Sequence, residues 1–154
     1  MNRFHFVPAM AIAAGLLFLA SGRSMADEEK KGHDMHAAHF DACAKACADC
    51  MRSCDSCAHH CAHLVMEGKK DHFQTLNSCL DCAEVCALSA KVTSRHGPMS
   101  SIVCEACAKS CDICASLCNK QTDDAHMKEC GKACSDCAKA CREMLKHTSH
   151  EKQD

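Results

Sequence analysis

The chain has 154 residues, 18 of them cysteine, neither tryptophan nor tyrosine, and a formal net charge of −2. That length suits one domain of ordinary size. The mild acidic balance, without a basic patch interleaved with aromatics, argues against nucleic acid as a partner. So few large hydrophobes leave cysteine itself to supply much of any buried surface.

The first segment opens with Arg3, runs almost wholly apolar from Val7 to Ala20 and carries Ser24-Met25-Ala26 as a small-x-small site. It reads as a secretory leader, residues 1–26, cut after Ala26. The apolar run falls short of the roughly 20 residues a bilayer requires, so a retained anchor is the weaker reading. The mature chain is therefore expected to be periplasmic or otherwise exported, with no membrane attachment. Its formal charge becomes −4 as Arg3 and Arg23 leave. The polar residues 27–35 are expected to be a flexible segment.

Four cysteine-bearing segments follow. The first spans residues 36–66 and ends at "EGKKD", where Gly68 serves as a helix C-terminal cap. The second, 71–94, stops at "RHGPM", because Gly97-Pro98 does not continue a helix. The third starts near Pro98, a residue tolerated in a first helical turn, and reaches Asn119. The fourth, 124–147, follows "KQTDD" with Thr122 or Asp123 as N-cap, and residues 148–154 are expected to be a flexible tail.

Every segment carries cysteine at alternating steps of three and four. The series are Cys43, Cys47, Cys50, Cys54, Cys57, Cys61; Cys79, Cys82, Cys86; Cys104, Cys107, Cys111, Cys114, Cys118; and Cys130, Cys134, Cys137, Cys141. Their mean step of 3.5 is that of the inward positions of a supercoiled bundle. The residues between are Ala, Lys, Asp, Glu and Arg, good helix formers for an outer face. Asp41 with Lys45, and Glu105 with Lys109, have the spacing of supporting ion pairs. Period two is nowhere sustained. The fold class is all-α, an antiparallel up-down-up-down four-helix bundle over 36–147 with a cysteine-lined core.

A column of thiols admits several chemistries. Packing explains one or two buried cysteines, not eighteen. A disulfide scaffold staples loops, whereas these thiols sit mid-helix on one stripe, where neighbours close only tiny loops against a demanding bond geometry. Discrete zinc sites gather four ligands at turns. No cysteine is followed by proline, as the bacterial iron–sulfur run requires. The Cys54–Cys57 pair is followed by Ala58, not the histidine of a haem-attachment motif. Cu(I) suits the pattern best, because it is soft and favours thiolate and thioether. Thiols three or four apart on a helix face point at one ion between them. One positive ion per thiolate also leaves the interior nearly neutral, which removes the penalty for burying charge.

These Cys-x-x-x-Cys and Cys-x-x-Cys series, covering nearly all of residues 36–147, resemble those of the four-helix-bundle copper storage proteins of bacteria. The resemblance implies a tube holding multiple Cu(I) ions on its inward cysteines, for copper buffering, supply or detoxification. It implies a reservoir rather than an enzyme, a homo-oligomer (a tetramer in many members) and exchange with a copper-donating or copper-accepting protein. The twin-arginine signal of some exported members is missing here. A thiol-rich redox or iron–sulfur electron-transfer protein is the alternative function, and a disulfide-stabilised structural bundle the third.

Extending each stripe past its cysteines gives two mouths. One collects Phe40, Ser89, Thr93, Ser100 and Met144, with Phe40 placed to plug the axis. The other collects Cys61, Cys118, Cys130 and Met127 near His60, His63, His72 and His126. Weaker, exchangeable ligands ahead of thiolates suit an uptake path. The candidate mouth ligands are Met127, His63, His72, His126 and Met144, and His59, with metal-pair spacing to His63, is set off the stripe.

Overall fold

The computed structural model describes residues 25–121 and 123–148, with side chains from residue 37 onward. Among them are four α-helices: α1 (Met25–Met66), α2 (Phe73–Thr93), α3 (Ser100–Cys118) and α4 (Ala125–Thr148). A single 3-10 turn, Lys70–His72, joins α1 to α2. No described helix is long and apolar enough to cross a membrane. The leader expected over 1–26 falls outside the described residues apart from Met25 and Ala26, and the tail apart from Thr148.

Each helix packs on two neighbours, α1 on α2 and α4, and α3 on α2 and α4. Sulfur contacts fix the directions. Cys43 and Cys54 on α1 meet Cys141 and Cys134 on α4, so those two helices run oppositely. Cys79 and Cys86 on α2 meet Cys114 and Cys107 on α3, again antiparallel. Cys43 and Cys50 meet Cys104 and Cys111 across the diagonal, so α1 and α3 run the same way. This is the up-down-up-down bundle.

The helix ends are decided by local chemistry. Gly68 adopts φ 92°, and the Gly68 and Lys69 amides donate to the Val65 and Leu64 carbonyls at 3.0 Å each, closing α1 with a Schellman cap. At the end of α2 the left-handed residue is His96 (φ 50°), ahead of the expected Gly97-Pro98 stop. Its amide donates to Thr93 and that of Gly97 to Val92. Pro98 lies in the turn before α3, whose first residue Ser100 donates its amide to Gly97 at 2.9 Å. The N-cap of α4 is Asp124, neither Thr122 nor Asp123: its Oδ1 accepts the Met127 amide at 3.1 Å. Gly131 permits close approach of α4 to the end of α3, since a Cβ there would lie 2.5 Å from Asn119 Oδ1.

Helix α1 starts at Met25 rather than near residue 36, so the backbone of 27–35, expected to be flexible, is helical. Ala, Glu and Lys there are strong helix formers. On the surface Glu105 and Lys109 pair at 2.7 Å as expected. Lys45 instead turns one turn forward to Asp49 at 2.6 Å, and Asp41 faces His96.

Candidate metal centre

The stripe spacing brings all eighteen cysteines into the axis of the bundle, each at most 1% exposed. All are free thiols. Alanines 58, 83, 108, 115 and 138 flank them, and small side chains at these positions allow the helices to approach closely. The interior is thus a continuous run of sulfur rather than a hydrocarbon core with thiols in it.

Many neighbouring sulfurs along this run approach to 3.5–4.0 Å, for example Cys54 to Cys134 at 3.5 Å and Cys107 to Cys111 at 4.0 Å. A metal–sulfur bond of about 2.3 Å, the length of zinc thiolates, places two ligands of one ion no more than about 4.6 Å apart. The sulfurs therefore already stand at ligand spacing. They form sets of four with all members within 4.8 Å of one another, including Cys50-Cys82-Cys86-Cys111, Cys50-Cys54-Cys82-Cys134 and Cys54-Cys114-Cys130-Cys134. Cys50, Cys54, Cys82 and Cys134 each belong to two of these sets. Shared ligands make the sets one chain of bridged positions, unlike a group of separate zinc sites.

Protons are held in the same network. Hydrogen bonding with neighbouring thiols, first Cys104 and Cys111, holds Cys43 and Cys50 below the usual thiol range. Cys54 and Cys141, hydrogen-bonded first to Cys114 and Cys104, are pushed up, and burial adds to both. Neighbouring thiols thus shift one another in opposite directions, and accumulated negative charge is resisted until cations replace the protons.

The column ends differently at its two mouths. Under Phe40, which packs against the core, the α2 stripe changes from cysteine to Ser89 and Thr93, and the α3 stripe starts at Ser100. All three are at most 2% exposed. Their hydroxyls donate to backbone carbonyls: Ser89 to Val103 at 3.1 Å, Ser100 to Gly97 at 2.6 Å, and Thr93 to Ser89. Met144 is fully buried at this end. Three histidines that the sequence reading did not place also gather here, His39 stacked on His147 at 3.6 Å and His96 against Phe40 at 4.7 Å.

At the other mouth Met127 is fully buried. His60 faces Asp124 at 2.7 Å and stacks on His126, which meets Ser56 at 3.2 Å. His63 is exposed and its Nε2 lies 3.2 Å from that of His59, so this pair stands together outside the column. His72 is only 8% exposed.

A four-helix bundle whose core is a bridged series of free thiols defines a protein built to hold soft metal ions. The sequence profile of the copper storage protein family matches residues 36–146. A cysteine-rich protein of Bacillus subtilis, YhjQ, is 36% identical over 110 residues, 69% of this chain and 95% of the relative. The Cu(I)-bound copper storage protein BsCsp3 superposes with a TM-score of 0.63 at 33% identity, over 70% of this chain and 98% of that one. A cytosolic copper storage protein of Streptomyces lividans, holding five coppers, gives a TM-score of 0.68 at 30% identity, over 73% and 97% of the two chains. The chain belongs to the copper storage protein family.

These comparisons correct one expectation. The Streptomyces lividans protein is cytosolic, and the periplasmic or otherwise exported location read from the leader does not stand. Thiol chemistry agrees with the correction. Free thiols spaced at 3.5–4.0 Å are prone to pair as disulfides in an oxidising compartment and persist in a reducing one.

Proposed function

We propose that this chain takes up many Cu(I) ions and stores them on the thiolates of its eighteen core cysteines, as a buffer, a supply or a means of detoxification. It acts as a reservoir and not as an enzyme. The observation that carries this reading is the sharing of sulfurs between neighbouring four-thiol sets. Shared thiolates let ions share ligands along the whole column, which serves capacity rather than a single site. The five coppers in the Streptomyces lividans relative support it.

Loading is assigned to the mouth of Cys61, Cys118, Cys130 and Met127, with His72 and His126 beside it. Met144 caps the other end beneath Phe40, where the hydroxyl layer interrupts the thiols. Leu80, Leu88, Ile102 and Ile113, each about half exposed or more, lie on the outer faces of α2 and α3. They support self-association of bundles, as the family resemblance implies. Copper reaches and leaves the chain through a donor or acceptor protein.

Anaerobic loading followed by absorption spectroscopy tests the reading. Cu(I) thiolates absorb only in the ultraviolet. A visible band in protein isolated from cells, with iron in stoichiometric amount, would instead favour an iron–sulfur electron carrier.

A further inference from the structure

A second row of side chains on α1 runs outside the thiol stripe. Asp55, His59, His63 and Glu67 follow one another at steps of four, so each stands one turn from the next along a single ridge at the end of the helix. Both histidines are exposed, and neither belongs to the core. The helical backbone carries through to the last of the four, since the Glu67 amide donates to the His63 carbonyl at 3.0 Å.

The two imidazoles meet nitrogen to nitrogen. Their Nε2 atoms stand 3.2 Å apart, and the rings lie edge to face at 81° with centroids 4.6 Å apart. Packing does not require this arrangement, because both rings are in solvent. One Nε2 donates its proton to the other there, and the same two atoms are at chelating distance for a metal ion. With imidazole–metal bonds of about 2.0–2.1 Å, a separation of 3.2 Å closes a nitrogen–metal–nitrogen angle of about 100–105°. A tetrahedral ion takes about 109°. Cu(I) held by two ligands alone favours them on opposite sides, an angle this pair does not offer.

Ligand chemistry points the same way. Imidazole suits zinc, nickel and divalent copper, whereas Cu(I) is drawn to sulfur. Asp55 one turn before the pair, Glu67 one turn after it and the last carbonyls of α1 add negative potential that favours a dication over a monocation. Lys69, 3.6 Å from Glu67, offsets part of that charge.

We propose that His59 and His63 form a surface site for a divalent ion of the zinc class, separate from the thiol column. Each ring binds through Nε2 and carries its proton on Nδ1. The ring that donates in the metal-free pair moves its proton from Nε2 to Nδ1. Two neutral imidazoles therefore take the ion with no net proton release and no electron transferred, and water fills the remaining positions. The inference does not depend on what the column stores, since both rings lie outside it.

The test uses full-length reduced protein whose thiols are first filled with Cu(I) under anaerobic conditions, which keeps zinc off the sulfurs. Nitrogen-15 histidine NMR then follows the addition of Zn(II). The Nε2 resonances of His59 and His63 should shift together and saturate at one zinc per chain. His59→Gln and His63→Gln, both at exposed positions where folding tolerates change, should each weaken zinc binding about tenfold or more, since even the outer partners of a metal site contribute about that much. His39→Gln, at the opposite mouth, should leave zinc affinity unchanged, and copper capacity should be unchanged in all three. Either of the first two variants binding zinc like the wild type overturns the inference, as does zinc that first moves the nitrogens of His39 and His147 or of His60 and His126. So does Cu(I) that shifts the His59 and His63 resonances before the thiols are filled, which marks a copper ligand. A column that fails to fill with Cu(I) contradicts the storage reading alone, and zinc added beyond the thiols' own uptake still reports at the two ring nitrogens.

Discussion

Replacement of Cys111 probes how the thiol column divides its labour. Its sulfur lies 3.8 Å from Cys50, 3.7 Å from Cys82, 3.6 Å from Cys86 and 4.0 Å from Cys107, so it ties its own helix α3 to α1 and α2. Cys111→Ala deletes one buried heavy atom, comparable to an Ile→Val change, and should cost the apo protein about 1 kcal/mol. Cys111→Ser keeps the volume but places a hydroxyl among thiols that accept hydrogen bonds weakly. An inadequately paired buried hydroxyl costs about 1–3 kcal/mol, so serine should be the more damaging change. The effect on copper should be small and equal for both, a loss of about one or two ions, since one thiolate bridges two positions at most and the facing sulfurs remain. Urea unfolding of reduced apo protein by circular dichroism and anaerobic Cu(I) titration measure the two effects. Loss of most copper capacity on this single change would refute the bridged-chain account. Serine more stable than alanine would refute the reading of the apo network.

Reduced apo protein should show a strongly helical far-ultraviolet spectrum, because neutral thiols are already buried at the positions a core requires; a coil spectrum that becomes helical only with copper contradicts this. Asp124→Ala should destabilise the apo protein by about 1 kcal/mol through loss of the α4 cap, while Asp124→Asn should retain most of it. Burial tends to raise the Asp124 carboxyl, but the His60 bond and the Met127 and His126 amides outweigh it and hold it below the usual carboxylate range. Its ionic contribution is therefore complete above the unfolded carboxylate pKa of about 3.9 and is lost as pH falls through the lower folded value. The stability gap between wild type and Asp124→Asn, followed in acid titrations, should close there. Ser89→Cys continues the α2 thiol stripe and should raise copper capacity by about one or two ions; unchanged capacity with the new thiol buried and reduced would show that the column does not end for want of sulfur.

Much of this was legible because cysteine here does the work of leucine. The three-and-four alternation marks both the helices and their inward faces, so the bundle and its thiol lining follow from one pattern. The Gly68 cap was legible for a related reason, since glycine adopts the left-handed conformation without steric cost. Features set by side-chain competition were not. Asp124 rather than Asp123 caps α4 because it can also reach His60 from the other side of the mouth. His96 takes a left-handed conformation one residue ahead of the expected Gly97-Pro98 stop, resting on Phe40 and facing Asp41. The stacking of His39 on His147 joins residues far apart in the chain, and no local signal announces it. His72 was counted among the mouth residues and not as a stripe position, and the 3-10 turn it lies in keeps the three-and-four alternation for one more step beyond α2. The leader-like N-terminus pointed to export, and the family comparison pointed elsewhere.

The stoichiometry of Cu(I) binding tests the central claim most directly. Reduced full-length protein should be titrated anaerobically with Cu(I) in the presence of a chromophoric Cu(I) chelator, with copper and protein quantified independently. Eighteen inward thiols, free and bridging, predict saturation well above ten ions per chain. Saturation at one to four equivalents would contradict storage and indicate a discrete site or a copper chaperone.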